Sequence, residues 1–361
     1  MQPNNLTALD FEDVKASIKS YLRTRTEFTD YDFEGSALSY MVDALAYNTY
    51  YTAFNANMSL NEAFLPSSTI RDNVVNIAKL MNYTPRSVIS SRASIKLDVQ
   101  TQQSNGVYPT SVTLKKGAVA TGGNYVWNIT RDTTAEVSPT SGIATFDEVC
   151  IYEGQLVNFQ YIVNTFARQN YTIPSAEADL ATLKVSVKAN ETATAADIYN
   201  RVDTITGLSA TTRAYFLSEG EDMRFEVRFG DDSVGRALKD GEVVQFEYLV
   251  TSGKAANEVK IFNFIGTIID STGLNVTSAN STLTPLHRSQ MGSDAESIES
   301  IKYNAPRYYS SQYRAVTAQD YALITQRIYD NADSVVAYGG DSLNPPIYGK
   351  VFIAIKTKTG S

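Results

Sequence analysis

The residue types that carry most enzymatic chemistry are sparse in this sequence. His287 is the single histidine and Cys150 the single cysteine, so histidine-rich and multi-cysteine metal sites are excluded, and a nucleophilic triad would have to join His287 to a distant serine or to Cys150. His287 follows Pro285 in a stretch that reads as loop, where a solvated imidazole is the ordinary outcome. Cys150 lies between strand-like residues and is expected to be a small buried hydrophobe. Asp231 and Asp232 have the chemistry of a Ca²⁺ ligand pair or of an acid and base, but adjacent carboxylates on a turn do not converge on one atom, and we read them as turn formers. No Gly-x-x-x-x-Gly-Lys loop, Gly-x-Ser-x-Gly elbow or Gly-x-Gly-x-x-Gly turn occurs. Tyr108, Pro109, Tyr125 and Trp127 have the composition of a sugar-binding platform, although such aromatics more often fill a β core. The expectation is a protein that is no enzyme and holds no cofactor and no metal.

Composition points the same way. A chain of 361 residues is too long for one ordinary core. Apolar residues make up 43% and charged residues 19%, which places it among folded proteins. With 31 Lys and Arg against 39 Asp and Glu, the net charge is −8, a poor basis for coating nucleic acid, whose affinity comes largely from basic groups on phosphates. No run approaches the roughly 18 apolar residues of a membrane helix. Met1 to Leu6 lacks the basic start and apolar core of a secretory signal, and the single cysteine fits synthesis in a reducing cytoplasm.

The elements are more informative than the reactive groups. Asp10 is placed to cap a helix whose face carries Phe11, Val14, Ile18, Tyr21 and Leu22. Leu38, Met41, Val42, Leu45, Ala46, Tyr50, Ala53 and Phe54 recur at helical spacing after Asp30-Tyr31-Asp32-Phe33-Glu34-Gly35-Ser36. Ser67 or Ser68 is expected to cap a third helix bearing Ile70, Val74, Ile77, Ala78 and Met81, stopped by Tyr83-Thr84-Pro85. From Ala93 the period becomes two, with strands through Val250 and Gly-rich turns between them. Ala195 to Val202 reads as a short helix, Glu258 to Ile269 as a strand and Gly273 to Thr284 as loop. A helix opening at Ser293-Asp294-Ala295-Glu296 is expected to end before Pro306. Thr317-Ala318-Gln319-Asp320 opens another with a capping-box variant and Tyr321, Ile324 and Ile328 on its buried face. Strands Ser334 to Tyr338 and Lys350 to Lys356 follow. The fold class is α+β and multidomain: residues 1–86 a helical module, 87–212 a β-rich domain with antiparallel strands, 213–290 a β meander, and 291–361 a helical pair plus strands that begin a C-terminal α/β domain. The N-terminal stripes are satisfied either by folding the helices onto the chain's own β domain or by a bundle assembled from several subunits. The scarcity of helical pattern downstream favours the bundle.

Three stretches together resemble the baseplate J-like family of contractile-tailed bacteriophages, and the N-terminus resembles its T-even-type inner-ring wedge subunit. Asp30 to Ser36, with Asp32, Phe33, Glu34 and Gly35, followed by Asp43-Ala44-Leu45-Ala46-Tyr47-Asn48-Thr49, is similar to that subunit's helical signature. Phe229-Gly230-Asp231-Asp232, Gly235, Asp240-Gly241, Tyr248 and Ala256-Asn257 resemble the family's glycine-punctuated β segment, although Asp232 stands where Gly is more usual. Gly292 to Ile298, including Asp294 and Glu296, with Ala305-Pro306 and Ala315 to Tyr321, including Thr317, Asp320 and Tyr321, resemble the signature ahead of its C-terminal domain. Residues 106–213 carry little of the likeness.

The resemblance implies a structural subunit of the virion's tail baseplate. In such wedges two copies associate with a second wedge protein through a helical bundle, a small sheath-initiating wedge protein docks on that bundle, and wedges join into a ring around the hub. The bundle would be formed by Phe11, Val14, Ile18 and Leu22, by Leu38, Met41, Val42, Leu45, Tyr50 and Phe54, and by Ile70, Val74, Ile77 and Met81. The family subunit also continues past the position of Ser361. A host-glycan adhesin and a tail-associated glycan hydrolase are the alternatives.

Overall fold

The computed structural model describes residues 10–28, 32–33, 36–104, 106–167, 169–277, 280–312, 314–329 and 332–357. Asp30, Tyr31, Glu34 and Gly35 of the N-terminal signature lie outside these. Three helices come first, α1 (Phe11–Arg23), α2 (Leu38–Glu62) and α3 (Arg71–Leu80). Six strands follow: β1 (Arg92–Gln100), β2 (Ser111–Leu114), β3 (Gly117–Gly122), β4 (Tyr125–Ile129), β5 (Thr133–Glu136) and β6 (Ile143–Glu153). The next seven are β7 (Gln155–Ile162), β8 (Tyr171–Thr172), β9 (Ala178–Lys188), β10 (Ala196–Arg201), β11 (Ala214–Glu219), β12 (Phe225–Phe229) and β13 (Val243–Val250). After β14 (Asn263–Phe264), β15 (Ile268–Asp270), β16 (Asn275–Val276) and β17 (Ser281–Gln290), the described chain closes with α4 (Ile298–Ser311), α5 (Ala318–Ile328), β18 (Ala332–Gly339) and β19 (Val351–Thr357).

The strands divide the chain differently from the expected 87–212 and 213–290 domains. A six-stranded sheet runs β14-β3-β4-β6-β1-β17, and a four-stranded sheet β16-β15-β2-β5 shares its core. Trp127, Ile95, Leu97, Leu114 and Ile268 are fully buried there. This unit is discontinuous in sequence, because β7 to β13 form a separate seven-stranded sheet, β7-β13-β9-β10-β11-β12-β8, inserted between β6 and β14. The expected boundary after residue 212 falls inside that sheet, where β10 pairs in parallel with β11. Its core holds Ile173, Val244, Phe246 and Tyr248.

Several local expectations change for physical reasons. Ala195 to Val202 is strand and not helix: Tyr199 is buried while Ile198 is 70% exposed, an alternation of period two, and β9 and β11 flank it. Glu258 to Ile269 holds two short strands, β14 and β15, in different sheets. Part of the expected loop after Gly273 is the edge strand β17, where threonines and Pro285 are tolerated because one side of the strand needs no ladder partner. His287 therefore sits on that strand opposite Ser94. Cys150 is exposed, as the outward residue between buried Val149 and Ile151. Pro306 lies inside α4. It faces solvent, where an unpaired carbonyl can be hydrated, while Ile301, Ala305 and Tyr308 hold the opposite face in a core.

Helix ends are set by side chains. Asp10 accepts the amides of Glu12 at 2.8 Å and Asp13 at 3.3 Å, and Thr317 and Asp320 form a reciprocal capping box on α5. α3 has no serine cap, since its N-cap position is Ile70. Glu62, the last residue of α2, supplies the acceptors instead. It takes the amides of Thr69 (2.8 Å) and Ile70 (3.2 Å), the hydroxyls of Ser68 (2.6 Å) and Thr69 (2.7 Å), and the Asn73 amide (3.0 Å). Desolvation opposes its charge, yet the hydrogen bonds from Asn73, Ser68 and Thr69 outweigh it and hold the carboxyl well below the usual range.

Glu62→Gln should therefore lower stability at pH 7 by about 1–3 kcal/mol. A depressed folded pKa gives stability that is complete above the unfolded value near ~4.3 and is lost as pH falls below it. The difference in melting temperature between wild type and variant, read by far-UV circular dichroism, should shrink in acid. A difference that stays constant into acid would show that the charge on Glu62 is not what joins α2 to α3.

Candidate assembly interface

α3 is not the free helix expected of it. Val74, Val75 and Ala78 are buried with Tyr83, Ile301, Ala305 and Tyr308, and Ile77 and Met81 pack at the edge of the same core. The chain's own α4 covers this stripe, so Val74, Ile77 and Met81 are used internally; only Ile70, at 42%, is well exposed. Local periodicity does not show this cover, because α4 lies more than 200 positions downstream of α3.

α1 and α2 form a hairpin with a different character. Phe11, Val14, Ile18 and Leu22 are half-buried, and Lys15 pairs with Asp43 at 2.6 Å. Phe33 is fully buried beside the Phe28 ring and under the Arg23 guanidinium, which gives that signature residue a role in closing the hairpin. On α2, Val42 and Ala46 are buried and Leu38 and Tyr50 half-buried, but Met41 (63%), Leu45 (54%) and Phe54 (44%) are exposed. The single expected stripe is thus divided: part faces inward and part faces solvent.

A further stripe was overlooked. Tyr40, Ala44, Tyr47, Tyr51, Phe54 and Met58 are separated by four and three residues in alternation, the spacing of a coiled-coil seam. All are exposed, Tyr40 at 79%, and the Tyr47 and Tyr51 rings meet at a tilt of 59° with their centroids 4.5 Å apart. The signal was present in the sequence, since 3.5-residue spacing is legible without coordinates. α2 has 25 residues and only Asp43 and Glu62 carry charge. A helix that is apolar on more than one side is ordinarily covered on more than one side.

The helices are fixed to the β units by a polar joint. Arg71 of α3 grips Glu219 of β11 with two hydrogen bonds, Nε to Oε1 at 2.7 Å and Nη2 to Oε2 at 3.1 Å, while Nη1 donates to the Glu296 carbonyl at 2.5 Å. Glu219 and Glu296 are both buried. The Glu296 carboxylate accepts from the Tyr83 hydroxyl (2.8 and 2.9 Å), the Arg86 amide (3.1 Å), the Ser300 hydroxyl (2.6 Å) and the Asn304 amide (3.0 Å). Asn257 clips β1 to the start of the C-terminal segment through Ser91 (2.8 Å) and Gly292 (2.9 and 3.0 Å). Asp294 pairs with Lys254. Tyr321, on α5, is half-buried.

The glycine-punctuated segment is structural. The Gly235 backbone crosses so close to Gly230 that a Cβ there would lie 2.2 Å from it, and Gly235 has φ +82°. Asp231 accepts the amides of Ser233 (3.0 Å) and Val234 (2.9 Å), and Asp232 that of Ala237 (2.8 Å). These carboxylates shape a turn, with Gly241 (φ +78°) in the next one. Trp127 is buried in the first β core and donates to the Gly122 carbonyl, so the aromatics near it form no open platform. Among the described residues no group of three His, Cys, Asp or Glu side chains is placed to hold a metal, and no helix is long and apolar enough to cross a membrane.

Comparison with known proteins bears on the same helices. Residues 10–83 match the family described as the helical domain of baseplate wedge protein gp6-like proteins, and residues 317–361 match C-terminal domain I of baseplate structural protein gp6. The chain is 27% identical over 371 aligned positions to baseplate wedge protein gp6 of Enterobacteria phage T4, covering 97% of this chain and 54% of the relative. It thus spans about half the relative's length. A cryo-EM structure of the anti-feeding prophage baseplate aligns over 92% of this chain and 67% of that one, at 11% identity and a TM-score of 0.36, a likeness too low to build on. The sequence matches support a T4-type baseplate wedge protein and name structural parts of a baseplate, no enzyme. None of these matches carries the baseplate J-like name.

Arg71→Ala would leave the carboxylate of Glu219, whose side chain has no exposed surface, uncompensated. Breaking a buried pair in this way should cost about 3–5 kcal/mol, seen as a lowered urea midpoint; a change near zero would remove the joint from the stability of the fold.

Proposed function

We propose that this chain is a structural subunit of a contractile phage tail baseplate wedge, in which α1 and α2 join a second copy and other wedge proteins, a sheath-initiating one among them, in a helical bundle. The observation that carries the reading is α2: a 25-residue helix, about 37 Å long, with two charged side chains and bulky apolar groups exposed on two sides of its buried stripe. The match of residues 10–83 to a baseplate wedge helical domain supports it. In this reading the β units set spacing between wedges, α5 with β18 and β19 belongs to a C-terminal domain that pairs wedges into a ring around the hub, and the subunit works in the virion after synthesis in the host cytoplasm. Trp127 is buried and Asp231 and Asp232 serve a turn, so the particular groups that the adhesin and hydrolase alternatives would use are engaged in the fold.

The test is co-expression with the other wedge proteins of the same phage and mass determination of the purified complex. Leu45→Asp and Tyr51→Asp alter exposed positions on separate stripes of α2, so the free variants should fold. Each should abolish a complex containing two copies of this chain by placing a charge in a covered seam. Unchanged complexes with both variants would remove α2 from the interface.

A further inference from the structure

A strand at the end of a sheet presents a row of unpaired N–H and C=O groups, and folded chains blunt such edges with short strands, charges, proline or bulges. Among the described residues most edges are blunted in this way. β8, β14 and β16 have two residues each, and β5 has four and ends on Glu136. β17 carries Pro285 and Arg288, with two register shifts against β1. In the two-stranded sheet, β19 carries Lys356 and β18 a register shift. β7 is the exception. It has eight residues with neither charge nor proline, and it pairs with β13 from Gln155 to Ile162 without a shift. Val163 fixes which way its backbone groups point, because its amide donates to the Glu242 carbonyl at 2.8 Å and its carbonyl accepts the Gly241 amide at 3.0 Å. Backbone groups alternate along an antiparallel strand, so Val157, Phe159 and Tyr161 bond toward β13 while Leu156, Asn158, Gln160 and Ile162 turn theirs to the free edge. The Ile162 carbonyl accepts the Gln169 side-chain amide at 3.0 Å. The outward groups of Asn158 and Gln160 meet no backbone partner among the described residues, and both residues are exposed, with Phe159 between them at 36%.

We propose that β7 docks on β7 of a second copy of this chain, the two strands pairing antiparallel about a two-fold axis at Phe159. The order of residues names the occupant. A two-fold contact must be complementary to itself, and about Phe159 the strand reads alike in both directions: Asn158 meets Gln160, Val157 meets Tyr161 and Leu156 meets Ile162. Amide faces amide and apolar faces apolar across the strands. No charge meets its like, in a chain whose net charge of −8 sets most surfaces of two copies against each other. The same register satisfies the backbone. Asn158 of one copy and Gln160 of the other both present outward groups and exchange a pair of hydrogen bonds, while Phe159 falls at a non-hydrogen-bonded position with its Cα about 4.5 Å from its mate. This surface is separate from α2, so the pairing does not rest on the bundle.

The test uses the full chain with Tyr51→Asp, so that the α2 seam cannot supply a dimer, and with Cys150→Ser, so that no other thiol is present. Sedimentation should show a dimer that forms with rising concentration. Phe159→Cys in this background should cross-link two copies when oxidised glutathione is added, because the spacing at the axis is within reach of a disulfide. Asn158→Cys should not, since its mate lies on the diagonal and more than about 7 Å away. Gln160→Pro removes an outward donor and leaves the bonds to β13 in place; it should weaken the dimer about tenfold with the melting temperature of the monomer unchanged. If that variant melts early, Gln160→Lys, which keeps the backbone and puts a charge on the edge, decides by the same loss. A monomer at every concentration overturns the pairing. So does a dimer that gives no cross-link at position 159 and keeps its affinity in the Gln160 variant, and cross-linking as fast at position 158 as at 159 overturns the register.

Discussion

Arg71 ties the third helix to both the inserted sheet and the C-terminal segment. Arg71 lies in the first turn of a ten-residue helix, yet it answers a carboxylate 148 positions later and a carbonyl 225 positions later. Glu219 and Glu296 are buried where an unanswered charge would be expelled. The bidentate geometry fixes direction as well as distance, so α3 cannot rotate on the sheet without breaking both bonds. The apolar core of Val74, Ile301 and Tyr308 adds burial on the other side of the same helix. α3 is thereby a rigid footing. Through Glu62, which caps α3 with the last side chain of α2, that footing extends into the long helix.

The β units are joined to each other by the same device. Glu153 at the end of β6 is buried and accepts from Thr251 at 2.6 Å and the Ser252 amide just after β13. Asp179 on β9 is buried and accepts the Ser90 amide at 2.9 Å, and burial pushes its carboxyl up against those hydrogen bonds. Lys116 from the turn before β3 and Lys184 on β9 both reach Glu247 of β13. An insertion such as β7–β13 leaves and returns at neighbouring points, and these contacts gather around that crossing. Polar side chains with fixed partners suit such a junction better than apolar ones, because they specify one register where apolar surfaces permit several.

The sequence was legible where structure is local. Asp10, Thr317 and Asp320 cap helices within three residues of themselves, and the turn at Asp231 and Asp232 closes through its own amides. The insertion was not legible, because nothing between Arg201 and Ala214 distinguishes a domain boundary from a crossover within one sheet; only the pairing of β10 with β11 decides it. The helix expected over Ala195 to Val202 failed for a related reason: in so short a stretch, periods of two and 3.6 predict overlapping apolar positions, and the neighbours β9 and β11 settled the matter. Pro306 shows tertiary packing outweighing a local breaker. The cap on α3 failed because its acceptor belongs to the preceding helix, so the short Ser67-Ser68 motif, though of the right type, was not the cap. Among the proposed interface residues, the unread Tyr40–Met58 stripe followed a period the sequence does display, whereas the burial of Val74 depended on a helix more than 200 positions away.

The composition of that stripe bears on how such a subunit exists before assembly. A seam of leucines exposed on a long helix would drive association with any apolar surface. Three tyrosines stand instead at Tyr40, Tyr47 and Tyr51, each with an apolar ring and a hydroxyl that water can satisfy. The free chain can keep these rings exposed with their polar tips hydrated, and in the proposed bundle a partner helix would cover the ring faces while the hydroxyls remain at the edge of the seam. The inward face carries the opposite choice: Val42 and Ala46 are small, which lets α1 approach closely enough for Lys15 to reach Asp43. Small residues inward and tyrosines outward give one helix two kinds of surface, one used within the chain and one that the proposed bundle would cover.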